Sequence, residues 1–249
     1  GVRISPPRPF MKTKNLIIAM GAALILSACN LNITTGENGN GKVVTQEREV
    51  TSDFTEVRGS AGLDVYLTQG DENKIVVEAD ENLLQYIETD IEGGKLHVTT
   101  SENIGRSKAK KVYVTFKELN TVEASSGADV TGNSVIKSQN LNLKSSSGAE
   151  LEVEVFAQEL IAKSSSGADL KVSGKASSLN ADASSGSELD AKELLVLNCN
   201  AEASSGAEVS VNVQDKLETH VSSGGEINYY GNPVSVNSNK SHSGSVNKM

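Results

Sequence analysis

Ser125-Ser126-Gly127-Ala128-Asp129-Val130 opens a series that returns as Ser146-Ser147-Gly148-Ala149-Glu150-Leu151, Ser165-Ser166-Gly167-Ala168-Asp169-Leu170, Ser184-Ser185-Gly186-Ser187-Glu188-Leu189, Ser204-Ser205-Gly206-Ala207-Glu208-Val209 and Ser222-Ser223-Gly224-Gly225-Glu226-Ile227. The central glycines lie 21, 19, 19, 20 and 18 residues apart. A fixed interval near twenty is the mark of a stacked repeat. Around each copy the apolar and small residues keep one parity: Leu141, Leu143, Ser145, Ser147, Ala149, Leu151, Val153 and Val155 in one, and Leu197, Cys199, Ala201, Ala203, Ser205, Ala207, Val209, Val211 and Val213 in another. Period two is the period of a strand. On this reading the second Ser and the Ala of each copy point inward, and the first Ser and the acid point outward.

A coil of about twenty residues cannot bury a face alone, whereas stacked coils can, each strand pairing in parallel with its copies above and below. The expected class is therefore all-β: a single-stranded parallel β-helix, taken as right-handed, with coils of about 18–21 residues. Helical solenoids need a 3.6-residue period, and leucine-rich repeats need their Leu/Asn signature; both are missing from these copies. A flexible Ser/Gly linker would not hold Leu, Val and Ala in phase around every copy. Gly148, Gly167, Gly186 and Gly206 are expected where the strand bends at a corner that a Cβ would crowd.

The rest of the chain organises around this array. Residues 1–10 read as a disordered upstream extension. Residues 11–29 read as a lipoprotein signal: Lys12 and Lys14, then the apolar run Leu16 to Leu26, then Leu26-Ser27-Ala28-Cys29. The run is too short for a mature transmembrane helix. Its closing tetrapeptide resembles the bacterial lipobox, which implies acylation of Cys29 and a membrane partner reached through that anchor. Asn30 after the cysteine is compatible with sorting to the outer membrane, so the expected location is the outer membrane or cell surface. Residues 30–44, polar and glycine-rich, read as a flexible tether. Residues 45–249 form the β-helix domain, with irregular coils over 45–118 and repeat coils over 119–249. Ser60-Ala61-Gly62-Leu63-Asp64-Val65 is a degenerate copy, and Gly244, twenty residues after Gly224, marks a worn final coil. The irregular part is expected to cap the solenoid's exposed end.

The lipobox signal, the Asp64-Val65-Tyr66-Leu67-Thr68-Gln69-Gly70-Asp71 core, the serial Ser-Ser-Gly-Ala-acid copies and the closing Gly225-Glu226-Ile227-Asn228-Tyr229-Tyr230-Gly231-Asn232-Pro233 together resemble the head GIN domain family, described as auto-transporter adhesins. The resemblance covers nearly all of the mature chain. It implies a parallel β-helix and supplies no catalytic residue.

Chemistry is sparse in this sequence. The chain is 37% apolar but only 4% aromatic, with no Trp, which suits an elongated domain with a thin core. A net charge of −9 argues against a nucleic-acid partner, since neutralising phosphates needs a basic face. Cys199 shares parity with Leu197 and Ala201 and reads as a buried structural thiol. His97, His220 and His242 have no ligand spacing, so neither zinc nor Ser-His-Asp chemistry is supported, and no cofactor is expected.

Asp129, Glu150, Asp169, Glu188, Glu208 and Glu226 share one phase and should stack at the ~4.8 Å strand spacing. Like charges at that distance cost about 0.9 kcal/mol per neighbouring pair in water. A solvated face tolerates this, and the row is the candidate ligand face. A weak cation ladder is conceivable because hard cations take carboxylate oxygens, but the Gly-Gly-x-Gly-x-Asp nonapeptide of calcium-binding β-rolls is missing. The expected function is a non-enzymatic, adhesin-like envelope module, with a carbohydrate or envelope polymer as a possible partner. A polysaccharide lyase or hydrolase, on fold analogy, and a structural spacer are the alternatives.

Overall fold

The computed structural model describes residues 36–240 and 243–249; Cys29, the whole signal segment and His242 lie outside them. Seventeen strands follow in chain order: β1 (Val43–Arg48), β2 (Glu56–Gly59), β3 (Asp64–Gln69), β4 (Lys74–Asp80), β5 (Ile87–Glu92), β6 (Lys95–Thr100), β7 (Lys110–Phe116), β8 (Thr121–Ala124), β9 (Asp129–Gly132), β10 (Ile136–Ser146) and β11 (Glu150–Ser165). The series continues with β12 (Asp169–Ser184), β13 (Glu188–Ala203), β14 (Glu208–Val221), β15 (Glu226–Tyr230), β16 (Ser235–Lys240) and β17 (Ser245–Lys248). No helix occurs among the described residues, and the strands stack as a parallel β-solenoid of about seven turns.

The repeat sequence enforces this register. Leu151 pairs with Val130 on one side and Leu170 on the other, Leu170 with Leu189, Leu189 with Val209, and Val209 with Ile227. All six are essentially solvent-free, so one aliphatic column runs up the core. Full burial of such a side chain is worth about 1.5–3 kcal/mol, and the in-phase repeat makes every coil bury its own on two neighbours at once.

Each coil turns at Ser-Ser-Gly-Ala through two consecutive residues in the left-handed region. The second Ser of every copy has φ between 50 and 57°, and the following Gly between 67 and 77°. Two positive φ values in a row are the pattern of a type I′ turn. The Ala128 and Ala207 N–H groups donate to Ser125 and Ser204 carbonyls at 3.2 and 3.1 Å to close it. The turns also bond to one another: Gly127, Gly148, Gly167, Gly186 and Gly206 each donate to the second Ser carbonyl of the next coil, at 3.1–3.2 Å.

This corner corrects the sequence reading twice. The second Ser of each copy is exposed rather than inward, and the first Ser is mostly half-buried, with Ser125 buried. The central residues of a tight turn protrude whatever their parity; the inward residues are instead those flanking it, such as Ser145 and Ala149. Ser145 and Ser164 satisfy their buried hydroxyls by donating to the Ala149 and Ala168 carbonyls at 3.0 and 2.7 Å. Nor would a Cβ be crowded, because nothing lies within 4 Å of the place it would take on Gly148, Gly167, Gly186 or Gly206. Their requirement is conformational and not spatial.

A second corner has no turn residues. Between Ala157 and Leu160, Ala176 and Leu179, and Val196 and Cys199 the buried positions fall three apart, leaving two outward residues in succession. Leu197 consequently stands 50% exposed, against the inward parity expected of it, while Cys199 is buried as expected.

The N-terminal part continues the parallel stack and then closes its end. β2 and β3 pair in parallel with β8 and β9, so residues 70–118 are an excursion laid over the end of the stack. Within it β6 and β7 add parallel strands to β2 and β3; β4 then runs antiparallel to both β7 and β1, and β5 antiparallel to β6. Antiparallel strands close through short hairpins, which lets a short excursion cover an open edge.

The segment expected to be a free tether is in part bound to this cap. Glu37 and Gly39 donate to Asn103 and Arg106 carbonyls at 2.8 and 2.7 Å, and the Gly41 N–H donates to Asp80. Asp80 is solvent-free and also accepts the Lys108 and Ala109 N–H groups at 2.7 and 3.1 Å. Burial alone would push its carboxyl up, but these backbone donors outweigh it and hold Asp80 below the ordinary value of 3.8.

Candidate functional site

The six acids of the repeat stack as one column. Asp129 pairs with Glu150, Glu150 with Asp169, Asp169 with Glu188, Glu188 with Glu208 and Glu208 with Glu226. Asp64, the acid of the degenerate copy, extends it by pairing with Asp129, so seven carboxylates stand in line. Lys111 faces Asp64 at the capped end, and Ser245 follows Glu226 at the other. Desolvation, with Glu208 and Asp169 adding repulsion, raises the Glu188 carboxyl above its ordinary value. Asp64 is likewise raised, chiefly by desolvation, with the Lys110 ammonium opposing it. Asparagine amides relieve the far end: Asn228 donates to Glu208 and Asn247 to Glu226, both at 2.9 Å.

The column before the turn is built differently. Arg58, Glu123, Lys144, Lys163, Asp182, Glu202 and His220 follow one another in register, and Lys144–Glu123 and Lys163–Asp182 close to 3.0 and 3.4 Å. One edge of the first corner is thus charge-compensated and the other uniformly acidic. Among the described residues no three His, Cys, Asp or Glu side chains are grouped so as to hold a metal ion. A single file of carboxylates pointing the same way presents parallel oxygens, not the convergent cage that a hard cation takes.

At the second corner, beside the cap, lies an open groove of about 800 Å³. Glu118, Asn120, Gln139, Asn140, Phe156 and Gln158, from successive coils, line it. Phe156 is 59% exposed. Sequence reasoning passed over this groove, although the signal was present: Val153, Val155 and Ala157 point inward, which forces Phe156 outward. What the sequence did not offer is its neighbours, because residues 118–120 reach it only through the stacking of successive coils.

The remaining candidates are a buried thiol and two histidines that stand apart. Cys199 is 4% exposed, and burial pushes its thiol up to about 12, far from a nucleophile's range. His220 is exposed and stands beside Glu202 in register, and His97 lies in the cap between Arg58 and Asp90.

Residues 53–233 match the family model described as "Putative auto-transporter adhesin, head GIN domain". The chain belongs to the head GIN domain family. The matched span begins just before β2 and ends just after β15, so the family's unit includes the excursion over residues 70–118 as well as the coils and leaves out β1. No curated protein matches the chain.

Solved structures share this head GIN architecture. A putative adhesin from Bacteroides fragilis is 19% identical, with a TM-score of 0.80 over 86% of this chain and 100% of its own. A protein from Parabacteroides distasonis, titled a putative lipid binding protein, is 22% identical with a TM-score of 0.70 over 86% of this chain and 99% of its own. A putative adhesin from Parabacteroides merdae is 21% identical with a TM-score of 0.68, over 86% and 98%. At these identities the likeness concerns the fold.

Proposed function

We propose that the mature chain is a non-enzymatic, adhesin-like binding module held at the cell envelope by acyl chains on Cys29. The family match over residues 53–233 carries this reading, since the family and several of its solved neighbours are named as adhesins. The architecture supports it: a rigid stack displays outward side chains at the uniform strand spacing, and a repetitive partner can engage such a surface through many weak contacts that add by avidity. The inward positions are spent on the core, and among the described residues the buried Cys199 thiol, His97 and His220 do not form a catalytic set. The leucine-to-cysteine closure before residue 30 supports the anchor.

The test uses the full-length chain expressed in a Gram-negative host. A fatty-acid probe should label the wild type and not Cys29→Ala, and cells displaying the wild type should be retained on immobilised mucin or purified envelope polymer above cells lacking it. An unlabelled wild type removes the anchor. Cells that display the chain and are not retained reduce it to a spacer, and turnover of a uronate polymer by the purified chain contradicts the non-enzymatic reading.

A further inference from the structure

The groove at the second corner has the chemistry of a sugar site, and we infer that it binds a neutral oligosaccharide with the Phe156 ring as its stacking platform. A sugar ring presents an apolar C–H face and an edge of hydroxyls that both donate and accept. The groove offers the complement of each. Phe156 stands 59% exposed, with Lys137 and Lys175 as its register neighbours in the adjoining coils. Beside it the side-chain amides of Gln139, Asn140 and Gln158 make no hydrogen bond to any described residue. An amide carries two donors and an acceptor, which is what a hydroxyl-bearing edge requires.

The walls are preformed. The Gln69 amide ties two neighbouring segments of the lining together: its nitrogen donates to the Lys117 and Lys137 carbonyls at 3.0 and 3.4 Å, and its oxygen accepts the Lys137 N–H at 2.9 Å. The Lys117 N–H is in turn held by Asn73 at 3.0 Å. Clamped walls lower the ordering cost of binding. The lining carries no dominant charge: Lys117 pairs with Asp53 at 3.4 Å, and Glu118 and Lys137 are one charge of each sign, with Lys175 beside Phe156 in register. The volume, about 800 Å³, lies within the range of small-molecule sites, roughly 300–1,000 Å³, and the open side suits an extended chain. The acid column lies at the other corner of the coil, so the two surfaces can be tested apart.

This inference rests on the reading of the chain as a binding module. The experiment is an array of neutral hexose and N-acetylhexosamine oligomers with uronate oligomers alongside, probed with the purified chain, with Phe156→Ala, with Gln139→Ala/Gln158→Ala, and with Asp129, Glu150, Asp169 and Glu188 changed together to Ala. Expected is retention on neutral oligomers that falls at least about tenfold, equivalent to ~1.4 kcal/mol, in the Phe156 and glutamine variants and persists in the acid variant. Because these side chains face solvent, their thermal melts should match the wild type, separating lost binding from lost fold. Three results overturn the site: no oligomer retained, retention only on uronates, or retention indifferent to Phe156→Ala. A chain that adheres on cells yet retains no glycan overturns this site alone; Phe156-dependent retention by a chain whose cells do not adhere keeps the site and overturns the adhesion reading.

Discussion

Gly167→Ala and Gly174→Ala add the same methyl group to the same coil and should differ severalfold in cost. Gly167 sits in the Ser-Ser-Gly turn with φ +67°, and its Cβ would enter open space. The penalty is then the left-handed backbone alone, about 1–2 kcal/mol for a residue with a Cβ. Gly174 lies within β12 opposite Val155, at φ +105°, and an added Cβ would fall 2.1 Å from the Val155 carbonyl oxygen and 3.0 Å from its nitrogen. Backbone atoms of a coil held on both sides cannot swing aside, so the ladder between β11 and β12 must part there. That places Gly174→Ala in the exceptional class of about 4 kcal/mol or more.

For a domain of this size 1 kcal/mol moves the melting temperature by roughly 2–4 °C, so Gly167→Ala should lower it by about 2–8 °C and Gly174→Ala by at least twice as much. Circular dichroism melts with matched denaturant titrations measure both. If Gly174→Ala proves no more costly than Gly167→Ala, the close approach of β12 to Val155 is wrong. An unchanged Gly167→Ala melt would remove the left-handed turn.

Three further outcomes follow from the packing. Leu151→Ala and Leu170→Ala should each cost about 2–5 kcal/mol in denaturant melts, whereas Glu150→Ala and Asp169→Ala should stay within about half a kcal/mol of neutral; the reverse order would invert the faces. Asp80, whose folded carboxyl is held below its ordinary value, contributes stability above that value and loses it as pH falls through the lower folded one. The melting gap between wild type and Asp80→Asn should therefore be wide at neutral pH and close below about pH 4; a gap independent of pH would show that the carboxylate's charge is irrelevant to the cap. Cys199, with its thiol pushed up to about 12, should resist alkylation in the native chain and react at once in denaturant, and rapid native labelling would place it at the surface.

The sequence alone was enough for the stack of coils, because a repeat of near-constant length with apolar residues in one phase leaves the in-register parallel pairing as the way to bury every coil. It also fixed the acid column, since residues at equal offsets from the turn must come into register, and it set Leu151 and Leu170 inward.

Tertiary structure decided what periodicity cannot encode. Alternation describes a straight strand, but the chain bends at the corners of each coil. At the first bend two left-handed residues turn the second Ser outward, and at the second an unmarked slip of phase exposes Leu197 while still burying Cys199. The cap was opaque because it joins segments distant in sequence: antiparallel pairing within residues 70–118 uses backbone groups that any side chain permits, and residues 36–42 are held in part by the single carboxylate of Asp80, which no local pattern marks. The groove beside Phe156 belongs to the same category: its outward phase could be read along one strand, but Glu118, Gln139 and Gln158 become neighbours only when successive coils are laid on one another.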